Sequence, residues 1–436
     1  MKPIYRIWWF ALAIKLALAS FIPFSLDESY YWVWGQRLQL SYFDHPGMVG
    51  WLFGLGEWLL PFGYASRIPL VIVGHFALLF WIFTLEKHLN LDQLISFALI
   101  YLLSPLLGFG GLIATPDVLV ITFWAMGIWS LSEYLERPNF KSALALGSAL
   151  GLGFCAKYHI VIFVLVLIGY LSFEKLWSRI KLSHLFAVIL SGAVLSLPVL
   201  VWNSQNDFAS FKFQLDHGLG ESQWSPWWTV SYLLGQLIVV FPVILLMALK
   251  SSRQQSLRMF AYFGWGPLVF FFLTSFRGLV EINWPIVGYA GIFALAATSV
   301  FSRRAYFMTL AFWGTLSLVV TVHSLKPFLP GEKLNEPFYY QLVIDAAPQY
   351  ENLFANTYQM ASALWHAHKK PYYKINGIGR FDYYDSMPES LPTKSPFFIA
   401  LETDQEPPSW ITPDNFEITV VERLGPQFKI IRVTNK

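Results

Sequence analysis

"DESYYWVWGQRLQLSYFDHP", residues 27–46, decides how this chain is threaded. It follows an apolar run, 5–24, that is long enough to cross a bilayer. Two adjacent carboxylates, Asp27 and Glu28, stand with six aromatics and an Asp-His-Pro where the chain would leave the hydrocarbon. Directly after it comes a second apolar run, 47–62, and whether that run crosses sets the side of everything downstream.

Loop charge answers that question, because cytoplasmic loops carry the Lys and Arg of a polytopic protein. With the N-terminus inside and 47–62 lying in the interface, "EKHLN" (86–90), "ERPNFK" (136–141), "EKLWSRIK" (174–181), "KSSRQQSLR" (250–258) and "SRR" (302–304) all fall in the cytoplasm. If 47–62 crosses, all five move outside. The first arrangement predicts eleven spans, at 5–24, 67–85, 91–109, 118–135, 142–156, 158–174, 184–202, 229–249, 258–276, 284–300 and 305–322, with the C-terminus outside.

Composition agrees. Of 436 residues, 56% are hydrophobic and 13% charged, where a soluble domain carries about 25% charged residues. Aromatics at 18% suit two long membrane–water interfaces. A net charge of +3 gives no argument for nucleic acid. The one cysteine, Cys155, lies in an apolar run, so no disulfide is expected. The first run lacks a small-residue cleavage site and reads as a retained span.

From 324 onward charge and proline rise, and no run is long enough to span. "FFIAL" (397–401), "EITVVERL" (417–424) and "FKIIRV" (428–433) read as strands. "YQMASALWHAH" (358–368) has helical apolar spacing. The expected organisation is a polytopic α-helical domain over 1–323 and a small α/β domain over 324–436 on the outer, periplasmic face.

That topology gathers Asp27, Glu28, Asp44, His45, Arg67, Asp117, Lys157, His217, Arg277, Glu281 and Asn283 on the outer side. Each has a plain structural reading. Asp27 would cap a helix starting near Ser29. Asp117, in "TPD", would sit at the positive end of a helix. Lys157 and Tyr158 would anchor an interface, and mid-span His75 would be a satisfied packing histidine. Taken together the set points elsewhere. Cations hold phosphate, and a carboxylate can deprotonate an incoming hydroxyl or amine, which is the chemistry of a site handling an anionic lipid headgroup.

The stretch 27–52 resembles the first outer loop of polyprenyl-phosphate-sugar-dependent membrane glycosyltransferases of the GT-C fold. The bacterial branch with the lipid A aminoarabinose transferase is nearer, and protein O-mannosyltransferases are more distant. "ATPDVLVITFW" (114–124), "NDFASFKFQLDHG" (206–218), "NWP" (283–285), "TYQMASALW" (357–365) and "NGIGRFDYYD" (376–385) extend the resemblance. Pro46-Gly47 stands where the family has Pro-Pro, and His45 stands where the aminoarabinose transferase has a lysine.

The resemblance implies an undecaprenyl-phosphate sugar donor taken from the bilayer of a bacterial inner membrane. The acceptor would be lipid A, an oligosaccharide or a protein on the periplasmic side. Asp27 matches the loop-1 acid and Asp117 the second outer-loop acid. Helices lying in the interface after the loop-1 acid are a further family feature, expected at Ser29–Gln36 and 47–62. With a lipid phosphate already a stable leaving group, one base and no covalent intermediate give single displacement with inversion. Asp27 is assigned as base, Glu28 as helper or structural cap, and Asp117 as acceptor-orienting residue. His45, Lys157, Arg67 and Arg277 are the phosphate candidates, and Tyr30, His217 and Asn283 further substrate contacts. A divalent ion on Asp27 or Asp117 is compatible with oxygen ligands, but no tight ligand spacing marks it. No other cofactor is implied. The competing class is a polytopic transporter or lipid flippase, whose coupling residues would lie near the midplane in two related halves. The loop 203–224, with no element of its own in this reading, is expected to act as a lid over the donor or as a passive strap.

Overall fold

The computed structural model describes residues 2–219, 223–299, 303–331 and 335–436, without the side chains of 217–219. The chain divides into two compact units, one of residues 1–22 and 40–322, the other of 23–39 and 323–436. The larger segment of the second unit starts at His323, and the unit also takes in residues 23–39.

In the first unit, α1 (Pro3–Phe21), α3 (Met48–Leu55), α4 (Ile68–Leu85), α5 (Leu91–Leu103), α6 (Pro116–Glu136), α7 (Phe140–Ala156), α8 (Val161–Phe173) and α9 (Leu182–Gln205) follow one another in chain order. They are succeeded by α10 (Ala209–Leu219), α11 (Pro226–Val240), α12 (Pro242–Ser251), α13 (Arg258–Thr274), α14 (Ile286–Ala297) and α15 (Arg303–Leu325). Helix α2 (Leu26–Gln36) belongs to the second unit.

Among the described residues, six helices are long and apolar enough to cross a membrane, and up to eight if each of two bent pairs is one span. The bends have sequence causes. Pro105 starts a π-turn that breaks α5 by 73°, and Pro242 follows Phe241 at φ 71° to break α11 from α12 by 87°. Three shorter apolar helices, 140–156, 158–173 and 286–297, accompany them. The run 47–62 is α3 followed by a 3-10 turn, Glu57–Phe62, that contains Pro61. It is not among the helices long enough to cross.

Helix α14 is buried at every position, and α6 is mostly buried against α4 and α7. Helices α7 and α9 meet at glycine. A Cβ on Gly147 would lie 2.2 Å from the Val188 carbonyl, and one on Gly151 2.5 Å from that of Gly192. The four-residue spacing of small side chains lets two backbones approach as membrane helices do.

The second unit holds a five-stranded sheet, β1 (Leu353–Ala355), β2 (Tyr373–Lys374), β3 (Phe397–Glu402), β4 (Phe416–Leu424) and β5 (Phe428–Asn435), in the order β2-β1-β3-β5-β4. The three strands read from sequence are β3, β4 and β5. The short β1 and β2 run parallel to each other, and β1 runs parallel to β3. Parallel neighbours need a crossover, and α17 (Tyr358–His368), the helix read from sequence, is that crossover; a short α16 (Gln341–Ala346) precedes it. Helix α17 packs on α2, which is why residues 23–39 cluster with this unit. Phe354, Ile399, Leu401, Ile431 and Val433 form its core.

One expectation is corrected here. Segment 203–224 is not elementless: α9 runs to Gln205, and 209–219 is α10. Phe208, Phe211 and Leu215 recur at intervals of three and four, a helical stripe. Phe211 packs on Phe154 and Tyr158, and the Ser210 hydroxyl hydrogen-bonds that of Tyr158 at 2.8 Å. Residues 220–222 lie outside the described residues.

Candidate functional site

Two centres of polar side chains emerge, one in each unit. In the second unit, α2 starts at Leu26, three residues before the expected start. The Ser25-Leu26-Asp27-Glu28 sequence is a capping box: the Glu28 backbone N–H donates to Ser25 Oγ at 3.2 Å, and the Ser25 N–H donates to Glu28 Oε2 at 2.9 Å. Ser25, not Asp27, is therefore the cap, and the wholly buried Glu28 takes the structural of its two expected roles. Asp27 is released from capping; the residue reaches the surface while neighbouring protein crowds its carboxyl.

The surrounding protein raises the Asp27 carboxyl above its ordinary value by desolvation, and the Arg380 guanidinium opposes the rise. Arg380 itself lies over the Tyr358 ring, 5.0 Å from its centroid. Burial likewise raises Glu336, with Asp27 adding to the rise, while the Leu26 N–H donates to Glu336 Oε1 at 3.3 Å and opposes it. Tyr358 follows β1 and Arg380 follows β2, so this centre lies at the carboxyl ends of parallel strands, where α/β sheets gather ligand-facing groups.

The loop that presents Arg380 is clamped from below. Buried Lys374 donates to Asp382 at 2.6 Å, to Asp385 at 2.5 Å and to the Arg380 carbonyl at 3.0 Å. Desolvation lifts Asp382 to about 6 against the pull of Lys374. The acids of "NGIGRFDYYD" thus serve the loop, and its arginine faces Asp27. Tyr30 is buried, its hydroxyl accepts from the Tyr383 N–H at 3.0 Å, and its ring packs 4.4 Å from that of Tyr358. It supports the wall behind Asp27.

In the first unit, Asp117 sits in the first turn of α6, behind Pro116, and Lys157 ends α7. Lys157 Nζ is 2.7 Å from Asp117 Oδ1, and Asn283 Nδ2 donates to Oδ2 at 3.1 Å. Asp117 has 15% of its side chain exposed and Lys157 6%, so the pair is largely desolvated. His159 stands two residues further on, and both Lys157 and His45 lie close enough to act electrostatically on its ring. Helix α10 holds the His45 segment, since Gln214 Nε2 donates to the Asp44 carbonyl at 2.6 Å.

Against this polar group runs an apolar groove of about 520 Å³, walled by Phe154, Tyr158, Ile162, Phe211, Phe271 and Trp284. His159 also lines it, so chain neighbours of Lys157 and Asn283 contribute to its wall. Val161 and Leu165 are exposed along it.

The remaining expected residues are placed as follows. Arg67 is closed to solvent, its Nη2 donating to the Ile22 carbonyl at 3.0 Å and its guanidinium 6.0 Å from the Tyr64 ring. Arg277 is exposed in the loop after α13. The His217 side chain lies outside the described residues. His75 bonds the Trp8 carbonyl through Nε2 at 3.0 Å, the satisfied packing role expected of it. Among the described residues no group of three or more His, Cys, Asp or Glu side chains is arranged to hold a metal ion.

Sequence reading missed Glu336, Arg380 and His159. Arg380 stood inside a quoted motif and His159 two residues from a quoted cation. Glu336 carries no local signal, since its partner is 310 residues away.

A family model described as dolichyl-phosphate-mannose-protein mannosyltransferase matches residues 44–202. The lipid A galacturonosyltransferase RgtD of Rhizobium johnstonii is 26% identical over 197 residues, 44% of this chain and 41% of that protein. The undecaprenyl phosphate-alpha-4-amino-4-deoxy-L-arabinose arabinosyl transferase of Edwardsiella ictaluri is 27% identical over 239 residues, 48% of this chain and 43% of that protein. The chain thus spans less than half the length of these curated relatives. The crystal structure of ArnT from Cupriavidus metallidurans bound to undecaprenyl phosphate matches with a TM-score of 0.70 at 14% identity, over 98% of this chain and 97% of that one. Its apo state matches at 0.67 and 13%, with the same coverage. At such identity the likeness shows the fold, which is GT-C, and the resemblance drawn from the sequence motifs stands.

Proposed function

We propose that the protein is an inverting glycosyltransferase moving a sugar from a polyprenyl phosphate, of the undecaprenyl class, to a lipid A, oligosaccharide or protein acceptor on the periplasmic face of a bacterial inner membrane. The observation that carries this reading is the apolar groove lined by Tyr158, His159 and Trp284, chain neighbours of the Lys157 and Asn283 that bond Asp117. A long isoprenoid needs apolar walls, and its phosphate needs a desolvated cation at the end of them. Relatives named for undecaprenyl phosphate and for lipid A transfer support the same donor and acceptor classes.

In this reading eleven spans keep the N-terminus cytoplasmic and the second unit periplasmic. Asp27 accepts the proton of the acceptor hydroxyl as that oxygen attacks the anomeric carbon. The bond from that carbon to the phosphate oxygen breaks, and polyprenyl phosphate departs with both electrons. Lys157 and His45 stabilise the charge that grows on the phosphate. Asp117, itself held by Asn283, fixes Lys157, and desolvation opposed by Arg380 sets the basicity of Asp27. The mid-span polar residues oppose a transporter: His75 bonds the Trp8 carbonyl and Lys15 donates to the Leu107 carbonyl at 3.5 Å, so both serve local packing.

The test is direct. Purified protein is given a polyprenyl-phosphate sugar with and without lipid A. Release of polyprenyl phosphate that depends on the acceptor is the expected result. Movement of the intact donor across proteoliposomes without its cleavage would overturn the proposal.

A further inference from the structure

The second unit carries another cavity, of about 780 Å³, that the reaction above does not use. Glu351 and Asn352 lead into β1, Pro371 and Tyr372 into β2, and Thr393 and Lys394 toward β3. These strands are parallel, so the cavity opens at their amino ends. Asp27's partners stand at the carboxyl ends, which makes this a separate site.

Its walls are aromatic and rigid. Tyr350 and Tyr373 are half-buried, and their hydroxyls are held elsewhere in the unit: that of Tyr350 donates to Glu422, and that of Tyr373 accepts from Arg37 Nη2 at 2.8 Å. Fixed tyrosine rings offer flat apolar faces at little entropic cost. Tyr372 is 5% exposed, and among the described residues its hydroxyl has no hydrogen-bond partner. A buried hydroxyl left unmade is costly, and at a cavity wall it marks a place where the protein does not complete its own bonding.

Charge then narrows the ligand. Lys370 and Lys394 are exposed at the rim, the former 5.2 Å from the Tyr372 ring centroid. Of the two acids present, Glu389 is matched by Arg37 at 2.8 Å, which holds its carboxyl below the usual range. The rim is left with two lysines against Glu351. Apolar ring faces answer the C–H face of a pyranose, the exposed Asn352 amide answers hydroxyls, and the lysines answer an anion.

We propose that this cavity binds an anionic saccharide, a sugar bearing phosphate or carboxylate. The size suits one or two pyranose rings. The same chemistry is offered by a free sugar phosphate and by the headgroup of a phosphorylated glycolipid.

Calorimetric titration of the full chain in detergent tests this with N-acetylglucosamine 1-phosphate in one arm and mixed micelles of a bis-phosphorylated disaccharide glycolipid in the other. Binding at roughly millimolar Kd or tighter, weakened at least about tenfold in Lys370→Glu/Lys394→Glu, is expected in at least one arm. Binding of the free sugar phosphate assigns recognition to the saccharide alone, and binding only of the micelles assigns it to a lipid-borne headgroup. If neither ligand binds, or if charge reversal leaves both affinities unchanged, the proposal is overturned. Should the double variant not fold, Lys394→Ala, a single exposed change, is titrated in its place. The readout is binding, so a failure here is separate from a failure of the transferase reading.

Discussion

Lys157 and Asp117 form a 2.7 Å ion pair between the end of α7 and the start of α6, with Asn283 on the second carboxylate oxygen. Both residues were read from sequence as separate functional groups, one a phosphate contact and one an acceptor contact. The geometry couples them. Removing one partner of a largely desolvated pair leaves the other charge uncompensated, at a cost of about 3–5 kcal/mol when burial is complete. Lys157→Ala and Asp117→Ala should therefore each lower the melting temperature, while Asp117→Asn/Lys157→Met should recover most of the loss without recovering donor affinity. A double variant no more stable than the singles would show that the pair is not energetically coupled.

Asp27→Asn should abolish transfer while the fold persists. The change is nearly isosteric, the cap belongs to Ser25 and Glu28, and Asp27 reaches the surface. A general base contributes about 10²–10⁴-fold. Initial rates at saturating donor, with thermal unfolding as the folding control, check it. A variant keeping more than about a third of wild-type turnover would remove Asp27 from the base role.

The pH profile should carry the signature of the Asp27 surroundings. A base works only when deprotonated, and desolvation holds this carboxyl above its ordinary value. The acid limb of kcat/KM should thus lie above the roughly 3.9 of a free aspartate. Arg380 favours the charged form, so Arg380→Gln should raise the Asp27 pKa further and move that limb to higher pH. A limb that stays in place, or moves down, would mean that Arg380 does not govern the base.

How much of this was legible in the sequence differs by element. Six long apolar helices were, because a 20-residue apolar run needs no partner to be recognised, while 91–109 and 229–249 fall on bent pairs and 142–156, 158–174 and 284–300 on shorter apolar helices. Strands β3, β4 and β5 were, through their β-branched and aromatic runs. Strands β1 and β2 were not: "LFA" and "YK" are too short to show a period, and their pairing, Phe354 with Tyr373 and Ala355 with Lys374, makes them strands. At the site, Asp27, Asp117 and Lys157 were picked out as charges at span ends. Their relations were not, since the Asp117–Lys157 contact closes 40 residues of chain and the Asn283 contact 166. The Ser25–Glu28 box was readable as Ser-x-x-Glu, and was obscured by the neighbouring Asp27, itself a good capping residue.

The groove should discriminate by lipid length. Leu165 is exposed along it. Leu165→Trp fills part of its volume and should weaken use of a long-chain donor by roughly tenfold, or about 1.4 kcal/mol, with little effect on a short isoprenoid phosphate sugar. Equal losses for both chain lengths in KM measurements would separate the groove from the lipid.

Helix α10 supplies the last prediction. It joins α9 through Asp207 and Phe208, two consecutive residues at φ 51° and 57°, a conformation unusual for a non-glycine side chain and for one as bulky as phenylalanine. Beyond that joint, Phe211, Gln214 and Leu215 line the apolar groove, and Gln214 holds the Asp44 carbonyl beside His45. A lid needs both a joint and a docked face, and α10 has each. A strap needs only the docked face. The two roles separate when α10 is detached. Replacing 208–220 with a short Gly/Ser linker should raise hydrolysis of the donor sugar phosphate relative to transfer if α10 keeps water from the donor. It should lower stability and leave that ratio unchanged if α10 is a strap. The product ratio is measured by mass spectrometry at matched turnover, with Phe211→Ala as a milder control that loosens the docked face without removing the helix. A folded variant whose hydrolysis-to-transfer ratio equals that of the wild type would reject the lid.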